Sequence, residues 1–188
     1  MSESRDRAGG AASGRRTLRI WDPAVRIFHW SLVTAVGIDM LLEAGTGLHA
    51  AAGYAVLALI AFRFIWGFVG TRHARFANFV TGPRAASRYL RSLRSPRPER
   101  HLGHNPAGAL MIVALLAVLA LVAGSGALLN TDAFWGSEWL EETHEIAANS
   151  LFILVPLHVL GAVVSSIIHR ENLVRAMVTG RKEIKENA

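Results

Sequence analysis

Cysteine is absent from this chain of 188 residues. Disulfide bonds, thiolate metal ligands and covalent haem attachment through a C-x-x-C-H motif are therefore excluded. Charged residues are scarce as well: they make up 18% of the chain, against about 25% in an average soluble domain. Two runs of 23 residues, 107–129 and 146–168, carry no charge at all. With 52% hydrophobic residues, the chain is too apolar for an ordinary soluble domain.

Long apolar segments are what the sequence has instead. A membrane helix needs about 20 mostly apolar residues, and both uncharged runs are long enough. A third segment carries one charge, Arg63, and a fourth opens with Pro23, which suits the first turn of a helix. The sequence therefore predicts an all-α membrane protein, a bundle of four transmembrane helices. The predicted spans are at about 23–43, 48–70, 106–129 and 144–169.

The basic residues predict the orientation of these spans. Nineteen of the twenty lysines and arginines fall within 1–28, 71–106 and 169–188, whereas 43–48 and 130–145 contain none. Loops rich in Lys and Arg stay on the cytoplasmic side of a membrane. We therefore expect a multi-pass protein of the bacterial inner membrane with both termini in the cytoplasm.

Outside the spans, the sequence predicts two tails and one surface helix. Residues 1–19 are rich in Gly, Ser, Ala and Arg and lack the apolar core of a signal peptide, which predicts a disordered cytoplasmic tail. Residues 20–182 are then the bundle, and 183–188 are a second cytoplasmic tail. From Pro83 to Leu93, arginines at helical spacing alternate with apolar residues, a pattern typical of a helix on an anionic lipid surface.

Four of the eight histidines lie at membrane depth: His29, His49, His144 and His158. Ionisable side chains at that depth are rare and usually functional. One isolated histidine could instead be a neutral ring bonded to a carbonyl of a neighbouring helix, but four at matching depths favour a functional set. The other four fall in loops or at a membrane edge: His73, His101, His104 and His169. Solvated surface is the default interpretation for these.

The alternating direction of the spans orders the membrane histidines by depth. His29 is expected near the inner side and His49 near the outer side. His144 is also expected near the outer side, and His158, fourteen residues later, lies roughly 21 Å further in. The order predicts the pairs His29 with His158 and His49 with His144. Because thiolates are excluded, the favoured interpretation of two stacked pairs is two b-type haems, with these histidines as axial ligands of the iron.

Arg63 lies fourteen residues after His49, so it shares the face of His49 at the level of the inner pair. A guanidinium inside a span costs about 2.5–3.5 kcal/mol on insertion scales. A haem propionate would offset that cost, and snorkelling to the inner interface beside Trp66 is the alternative. Asp39, near the end of the first span, is interpreted as a boundary residue.

Five pieces of sequence, in order, resemble one family. They are W-D-P-A-V-R-I-F-H-W (Trp21–Trp30), R-F-I-W-G-F-V-G (Arg63–Gly70), A-R-F with a following phenylalanine (Ala74–Phe79), G-H-N-P-A-G-A-L-M (Gly103–Met111) and H-R-E-N-L-V-R-A-M-V-T-G-R-K (His169–Lys182). Each piece alone is weakly specific. Joined by the four membrane histidines, they resemble bacterial cytochrome b561 and the b-type cytochrome subunits of nickel–iron hydrogenases over nearly the whole chain.

The resemblance implies a four-helix bundle with two non-covalent haems b and the four axial histidines named above. It also implies electron transfer between a periplasmic-side redox partner, such as a hydrogenase or a c-type cytochrome, and membrane quinone. In related subunits the quinone binds near the loop that enters the third span. Here that loop offers His104 as a proton carrier and Asn105 as an amide ligand. The alternative for Asn105 is a helix cap ahead of Pro106.

The sequence thus predicts a dihaem cytochrome that links a periplasmic-side partner to the quinone pool of a respiratory chain, within the lipid membrane. A metal or proton transporter is one rival, but it would need more carboxylates at membrane depth than Asp39 alone. A cofactor-free anchor of a redox complex is another, and it leaves the paired histidine depths unexplained. Nucleic acid is not an expected partner, because the basic residues follow the membrane topology.

Overall fold

The computed structural model describes residues 15–95 and 98–185. These residues form two strands and seven helices, in the order β1 (Arg15–Arg19), α1 (Pro23–Asp39), α2 (Gly47–Val69), α3 (Phe76–Phe79), α4 (Pro83–Ser92), α5 (Pro106–Leu129), α6 (Glu138–His169), α7 (Leu173–Thr179) and β2 (Arg181–Lys185). The chain is mostly helical, as the sequence predicts. Helices α2, α5 and α6 are long and apolar enough to cross a membrane. Helix α1 has 17 residues, which gives it a length of about 25 Å.

Side-chain caps fix where three of the long helices begin. Asp22, Thr46 and Asn105 each accept a hydrogen bond from the backbone N–H three residues later, at 2.9, 3.2 and 2.7 Å. Such bonds satisfy N–H groups that the first turn of a helix leaves unpaired. Pro23 and Pro106 occupy the first position of α1 and α5, where a missing N–H costs nothing.

Two helix ends differ from the predicted spans. Helix α1 ends at Asp39 rather than at residue 43, because the chain turns at Gly45, whose φ is +77°, before α2 begins. Helix α6 begins at Glu138, six residues before the predicted start of its span. Glu138 and Glu141 lie in its first turn, where acidic side chains are stabilised by the helix dipole.

Helix α5 is the centre of the packing. It packs along α6 and against α2, and α1 packs on α2. The buried residues that join these helices are Phe28, Val56, Ile60, Leu116, Leu119, Ala123 and Leu151. Across the parts of the chain that the structure describes, α6 approaches neither α1 nor α2 as closely as it approaches α5. The side of α6 away from α5 is therefore left for other contacts.

A two-stranded sheet joins the two ends of the described chain. Strand β1 pairs antiparallel with β2, from Arg15 opposite Lys185 to Arg19 opposite Arg181. The prediction of disordered tails over 1–19 and 183–188 is therefore wrong for residues 15–19 and 183–185. Their pairing partners lie far apart in sequence, so no local pattern announces them. The backbone N–H groups of Ile20 and Trp21 extend this junction by donating to the carbonyl oxygen of Gly180, at 2.9 and 3.1 Å.

Helix α4 confirms the amphipathic helix predicted from Pro83 to Leu93. Its buried face contains Ala86 and Tyr89, and it packs on α5. The Tyr89 hydroxyl lies 3.0 Å from Nε2 of His169, at the end of α6. This helix therefore holds the ends of α5 and α6 together in addition to presenting its arginines to solvent.

Candidate functional site

A cavity of about 160 Å³ lies between α1, α2, α5 and α6 near one end of the bundle. His49 and His144 both line it, with their ring centroids 6.2 Å apart and their ring planes at 82°. The structure therefore brings together the two histidines that the sequence predicts as the outer pair. The small residues Gly53 and Ala148, one turn from each histidine, also line this cavity.

Polar groups lie close to Nδ1 of both imidazoles, although only Nδ1 of His144 is hydrogen-bonded among the described residues. Nδ1 of His144 lies 3.0 Å from the Val122 carbonyl oxygen and 3.1 Å from the Ser125 hydroxyl. Nδ1 of His49 lies 3.0 Å from Oδ1 of Asp39. A histidine that binds a metal almost always donates its other ring N–H to a carbonyl or carboxylate, which fixes the tautomer. The His144 ring is therefore oriented to offer Nε2 as a ligand, and the Asp39 carboxylate places a negative charge beside Nδ1 of His49.

The surroundings of this pair fit a flat cofactor with a central metal. A centroid separation of 6.2 Å has room for one metal ion at about 2 Å from a nitrogen of each ring. At Gly53, no atom lies within 4 Å of the place that a Cβ would take, so the helix surface is open there. At Gly126, a Cβ would lie 3.0 Å from Cε1 of His144, so this glycine lets the ring lie against α5.

His29 and His158 are the residues that the sequence predicts as the inner pair. The two imidazoles are close enough to interact electrostatically. Nδ1 of His29 is buried and makes no hydrogen bond among the residues that the structure describes. A buried polar nitrogen is costly without a partner, and such an atom fits a ligand or hydrogen-bond donor to a group bound at this depth.

Arg63 lies at the same end of the bundle as the second pair. Its side chain is 3% exposed, so it does not reach water as snorkelling requires. Nη2 donates to the Ala74 carbonyl oxygen at 3.1 Å, and the guanidinium carbon lies 4.7 Å from the centre of the Phe76 ring. Nη1 is buried without a hydrogen bond within the described ranges. One donor of this cation is therefore satisfied by the loop after α2 and another is available to a bound anion.

His104 is half-buried, with Nδ1 shielded from solvent, so the interpretation of this residue as solvated surface is wrong. Its ring centroid is 4.4 Å from that of Trp21 and 4.8 Å from that of Phe79. Burial lowers the pKa of His104 to about 3, and nearby positive charges, that of Arg63 first, act in the same direction. The ring is therefore neutral at pH 7. The ring also lies within electrostatic range of His158.

Asn105 acts as a helix cap in the structure. Its Oδ1 accepts from the backbone N–H of Gly108 at 2.7 Å, and its Nδ2 lies 3.5 Å from the Ser165 hydroxyl. The capping alternative for this residue is therefore realised. A role as quinone ligand, which would use Nδ2, stays a prediction.

Two residues near the first pair were missed as functional from the sequence. Asp39 was interpreted as a boundary residue, although the short connection between α1 and α2 places it opposite His49. Ser125 was not considered, although it is the one hydroxyl side chain of the third predicted span and bonds to His144. A polar residue in an uncharged span, and a carboxylate facing a histidine across a helical hairpin, were the available signals.

Comparison with known proteins accounts for this arrangement. Residues 20–180 match the family model for prokaryotic cytochrome b561. The chain belongs to this family. The resemblance that the five sequence pieces indicate is therefore confirmed. As a cytochrome b561 family member, it is a membrane electron-transfer protein whose cofactor is haem b.

Similar proteins carry a more specific description. The cytochrome is 24% identical to a probable Ni/Fe-hydrogenase B-type cytochrome subunit of Bradyrhizobium diazoefficiens, over 96% of this chain and 92% of the relative. Proteins with the same description in Rhodobacter capsulatus and Azotobacter vinelandii are 23% and 24% identical, over 92% and 89% of this chain and 84% and 89% of theirs. No solved structure matches the chain significantly.

Proposed function

We propose that this cytochrome holds two haems b and carries electrons across the bacterial inner membrane, between a periplasmic-side redox partner and membrane quinone. The observation that carries the proposal is the His49–His144 pair, with ring centroids 6.2 Å apart, Nδ1 of His144 bonded to the Val122 carbonyl oxygen and Nδ1 of His49 3.0 Å from the Asp39 carboxylate. When bound, the haems supply one-electron transfer at two depths. The protein supplies ligands, their hydrogen bonds and burial, which tune the potentials.

Four crossings with both termini in the cytoplasm are part of the proposal. Pairing of β1 with β2 places the start of α1 and the end of α6 at the same end of the bundle. An even number of crossings requires this. If the 17-residue α1 did not cross, three spans would put the two strands on opposite faces of the membrane. The distribution of Lys and Arg then favours the cytoplasm for the shared end.

Each pair of histidines would hold one haem and leave its iron no open position. His49 and His144 would be the axial ligands near the outer side, His29 and His158 those near the inner side. Binding of oxygen or another ligand at iron is therefore not expected. Arg63 would hold a propionate of the inner haem through Nη1, the atom that the loop carbonyl of Ala74 leaves available.

The quinone site is proposed beside the inner pair, at His104 and Asn105. His104 is neutral at pH 7, so it would donate a hydrogen bond from Nδ1, which is buried without one in the described chain. Asn105 would offer Nδ2 while its Oδ1 continues to cap α5. The rings of Trp21 and Phe79, which pack on His104, would exclude water from this side of the site.

A hydrogenase is the proposed redox partner, because the similar proteins are described as hydrogenase cytochrome subunits. The connection between α5 and α6 faces the outer side in the proposed topology. Together with the first turns of α6, it carries Asp132, Glu138, Glu141, Glu142 and Glu145 and no Lys or Arg. A basic patch on the partner would complement it. A c-type cytochrome with a basic surface is the second candidate partner.

A haem count tests this function. The purified protein, loaded with haem, should contain two haems b per chain in a pyridine haemochrome assay. Single His→Ala variants should fall into two classes. Variants at His29 and His158 should lack one haem, and variants at His49 and His144 should lack the other. His101→Ala is the matched control and should keep both, because this ring lies outside the helices and packs edge-on against Tyr89.

Two results would contradict the proposal, and a third would invalidate the assay. A count below about one haem per chain, as a transporter or a cofactor-free anchor predicts, would overturn the cofactor assignment. If the single variants His29→Ala and His144→Ala both lost the same haem, the proposed pairing would be wrong. Loss of either haem from His101→Ala would show that the assay reports misfolding.

A further inference from the structure

A second cavity, with a basic wall, lies at the end of the bundle where β1 and β2 pair. Its volume is about 650 Å³. The cationic side chains that line it are Arg19, Arg26, Arg170, Arg175, Arg181 and Lys182. Within the described residues, Glu171 is the one carboxylate of the wall. Glu171 already accepts from Arg100 at 2.7 Å and lies 3.2 Å from Lys182. Among the described residues, the wall therefore has six cationic side chains and one carboxylate.

Arg26 presents a donor that the fold does not use. It lies in the first turn of α1, and its Nη2 donates to the Val178 carbonyl oxygen. Its Nε is buried and makes no hydrogen bond in the described part of the chain. A buried donor without a partner costs about 1–3 kcal/mol. An anion in the cavity would satisfy it.

Arg170 occupies a backbone position that disfavours arginine. It is the C-cap of α6, with φ +52° and ψ +41°, where glycine or asparagine is usual. A left-handed conformation costs an ordinary residue about 1–2 kcal/mol. A positive charge at a helix C-terminus returns only about 0.3–1 kcal/mol. The strain therefore exceeds what the helix gains, and lining the cavity is the remaining role of this side chain.

The position of the cavity indicates what kind of anion it binds. Arg170, at the end of α6, lies where this helix leaves the membrane, and Arg26, at the start of α1, lies in the same cavity wall. Apolar side chains next to the cavity are exposed: Ile27 by 67%, Val174 by 54% and Val178 by 50%. A ligand with an anionic head and apolar chains would use both surfaces, whereas a free anion would use only the first.

We propose that this cavity binds the phosphate headgroup of an anionic phospholipid, with the acyl chains along Ile27, Val174 and Val178. Basic pockets at the ends of transmembrane helices suit such headgroups, and each Lys or Arg near a lipid surface contributes about 1 kcal/mol. The site requires only that α6 spans the membrane. It does not depend on the number of haems, on the quinone site or on which face is cytoplasmic.

The amount of lipid that the protein retains in detergent tests the proposal. The full-length, haem-loaded protein is reconstituted with phosphatidylglycerol and phosphatidylcholine in equal amounts and transferred to detergent, and the lipids that remain bound are counted by native mass spectrometry. Wild type should retain phosphatidylglycerol in preference to phosphatidylcholine. Arg170→Asn and Arg26→Gln should each weaken retention about fivefold, which corresponds to one charge near a lipid surface. Arg88→Gln on α4, an exposed cation at the same end of the bundle, should retain it as wild type does.

Arg170→Asn separates binding from folding. Asparagine adopts the left-handed conformation more readily than arginine, so thermal stability in pure phosphatidylcholine should be unchanged or higher. Unchanged phosphatidylglycerol retention in this variant would overturn the proposal. Equal retention of the two lipids by wild type would do the same. If inorganic phosphate displaces phosphatidylglycerol at millimolar concentration, the site binds a free anion and the lipid assignment fails. A low haem count with normal phosphatidylglycerol retention would contradict the proposed function and leave the lipid-site proposal standing.

Discussion

At the scale of single residues, the two histidines of the proposed outer pair differ in the groups that lie next to Nδ1. Nδ1 of His144 faces a neutral carbonyl and a hydroxyl, whereas Nδ1 of His49 faces the carboxylate of Asp39. A carboxylate partner raises the basicity of an imidazole ligand more than a carbonyl does, because the hydrogen bond is charge-assisted. A more basic ligand favours the oxidised metal. Asp39 is therefore expected to hold the outer haem at a lower potential.

Replacing Asp39 by asparagine tests this. The amide oxygen can still accept from Nδ1, so the ring should stay in place and both haems should remain. Loss of about 1 kcal/mol of charge-assisted bonding should raise the outer potential by roughly 40 mV, measured by redox titration. Glu43→Gln is the control, since Glu43 is exposed in the same connection. An unchanged potential in Asp39→Asn would show that the carboxylate does not tune the haem.

Arg63 carries a charge inside a membrane span, and a bound anion would offset the free-energy cost of burying it there. Arg63→Leu should lower occupancy of the inner haem or shift its potential, and leave the outer haem unchanged, in the same titration. Arg63→Lys should restore part of the effect through its charge. The control is Arg75→Leu, because Nε of Arg75 donates to the Gly70 carbonyl oxygen at 2.7 Å and also ties down the loop after α2. Equal effects of Arg63→Leu and Arg75→Leu would place the role of Arg63 in the loop rather than at a propionate.

At the scale of elements, the sequence predicts what length and local chemistry determine. The uncharged runs are long enough to define α5 and α6, and a capping residue before a proline fixes the start of α1 and α5. The terminal strands could not be predicted, because their stability comes from pairing across the whole chain. The same holds at the site. Spacing predicts which histidines share a level, but only the packed hairpin shows that Asp39 meets His49.

Asn105 belongs to this scale, because it is both the cap of α5 and the proposed quinone ligand. Serine caps nearly as well as asparagine, so Asn105→Ser should leave thermal stability and both haems unchanged. If Nδ2 binds quinone, the rate of haem reoxidation by added quinone should fall. Asn172→Ser is the matched control, since the Asn172 side chain caps α7 in the same way, with its Oδ1 2.7 Å from the Arg175 N–H. Normal reoxidation in Asn105→Ser and in His104→Ala would move the quinone site elsewhere.

At the scale of the whole molecule, the junction between the terminal strands depends on Gly180. Its φ is +79°, and a Cβ there would lie 2.7 Å from the Trp21 carbonyl oxygen. Gly180→Ala should therefore lower the free energy of unfolding by more than the about 1–2 kcal/mol that the backbone conformation alone costs. Gly45→Ala is the control, with a φ of +77° and no atom within 4 Å of its Cβ position. Equal losses in the two variants, measured by thermal unfolding in detergent, would show that the junction tolerates the side chain.

The terminal sheet also acts at a distance on the inner histidines. His29 lies on α1 and His158 on α6, two helices that do not pack closely within the described residues. The distance between these two histidines therefore depends partly on the pairing of β1 with β2, which contacts neither ring. A purification tag or fusion partner that pulls on either strand would change the distance between His29 and His158, the proposed ligands of the inner haem. Altered haem spectra in a tagged protein would then report mechanical strain transmitted along the helices rather than damage to the ligands.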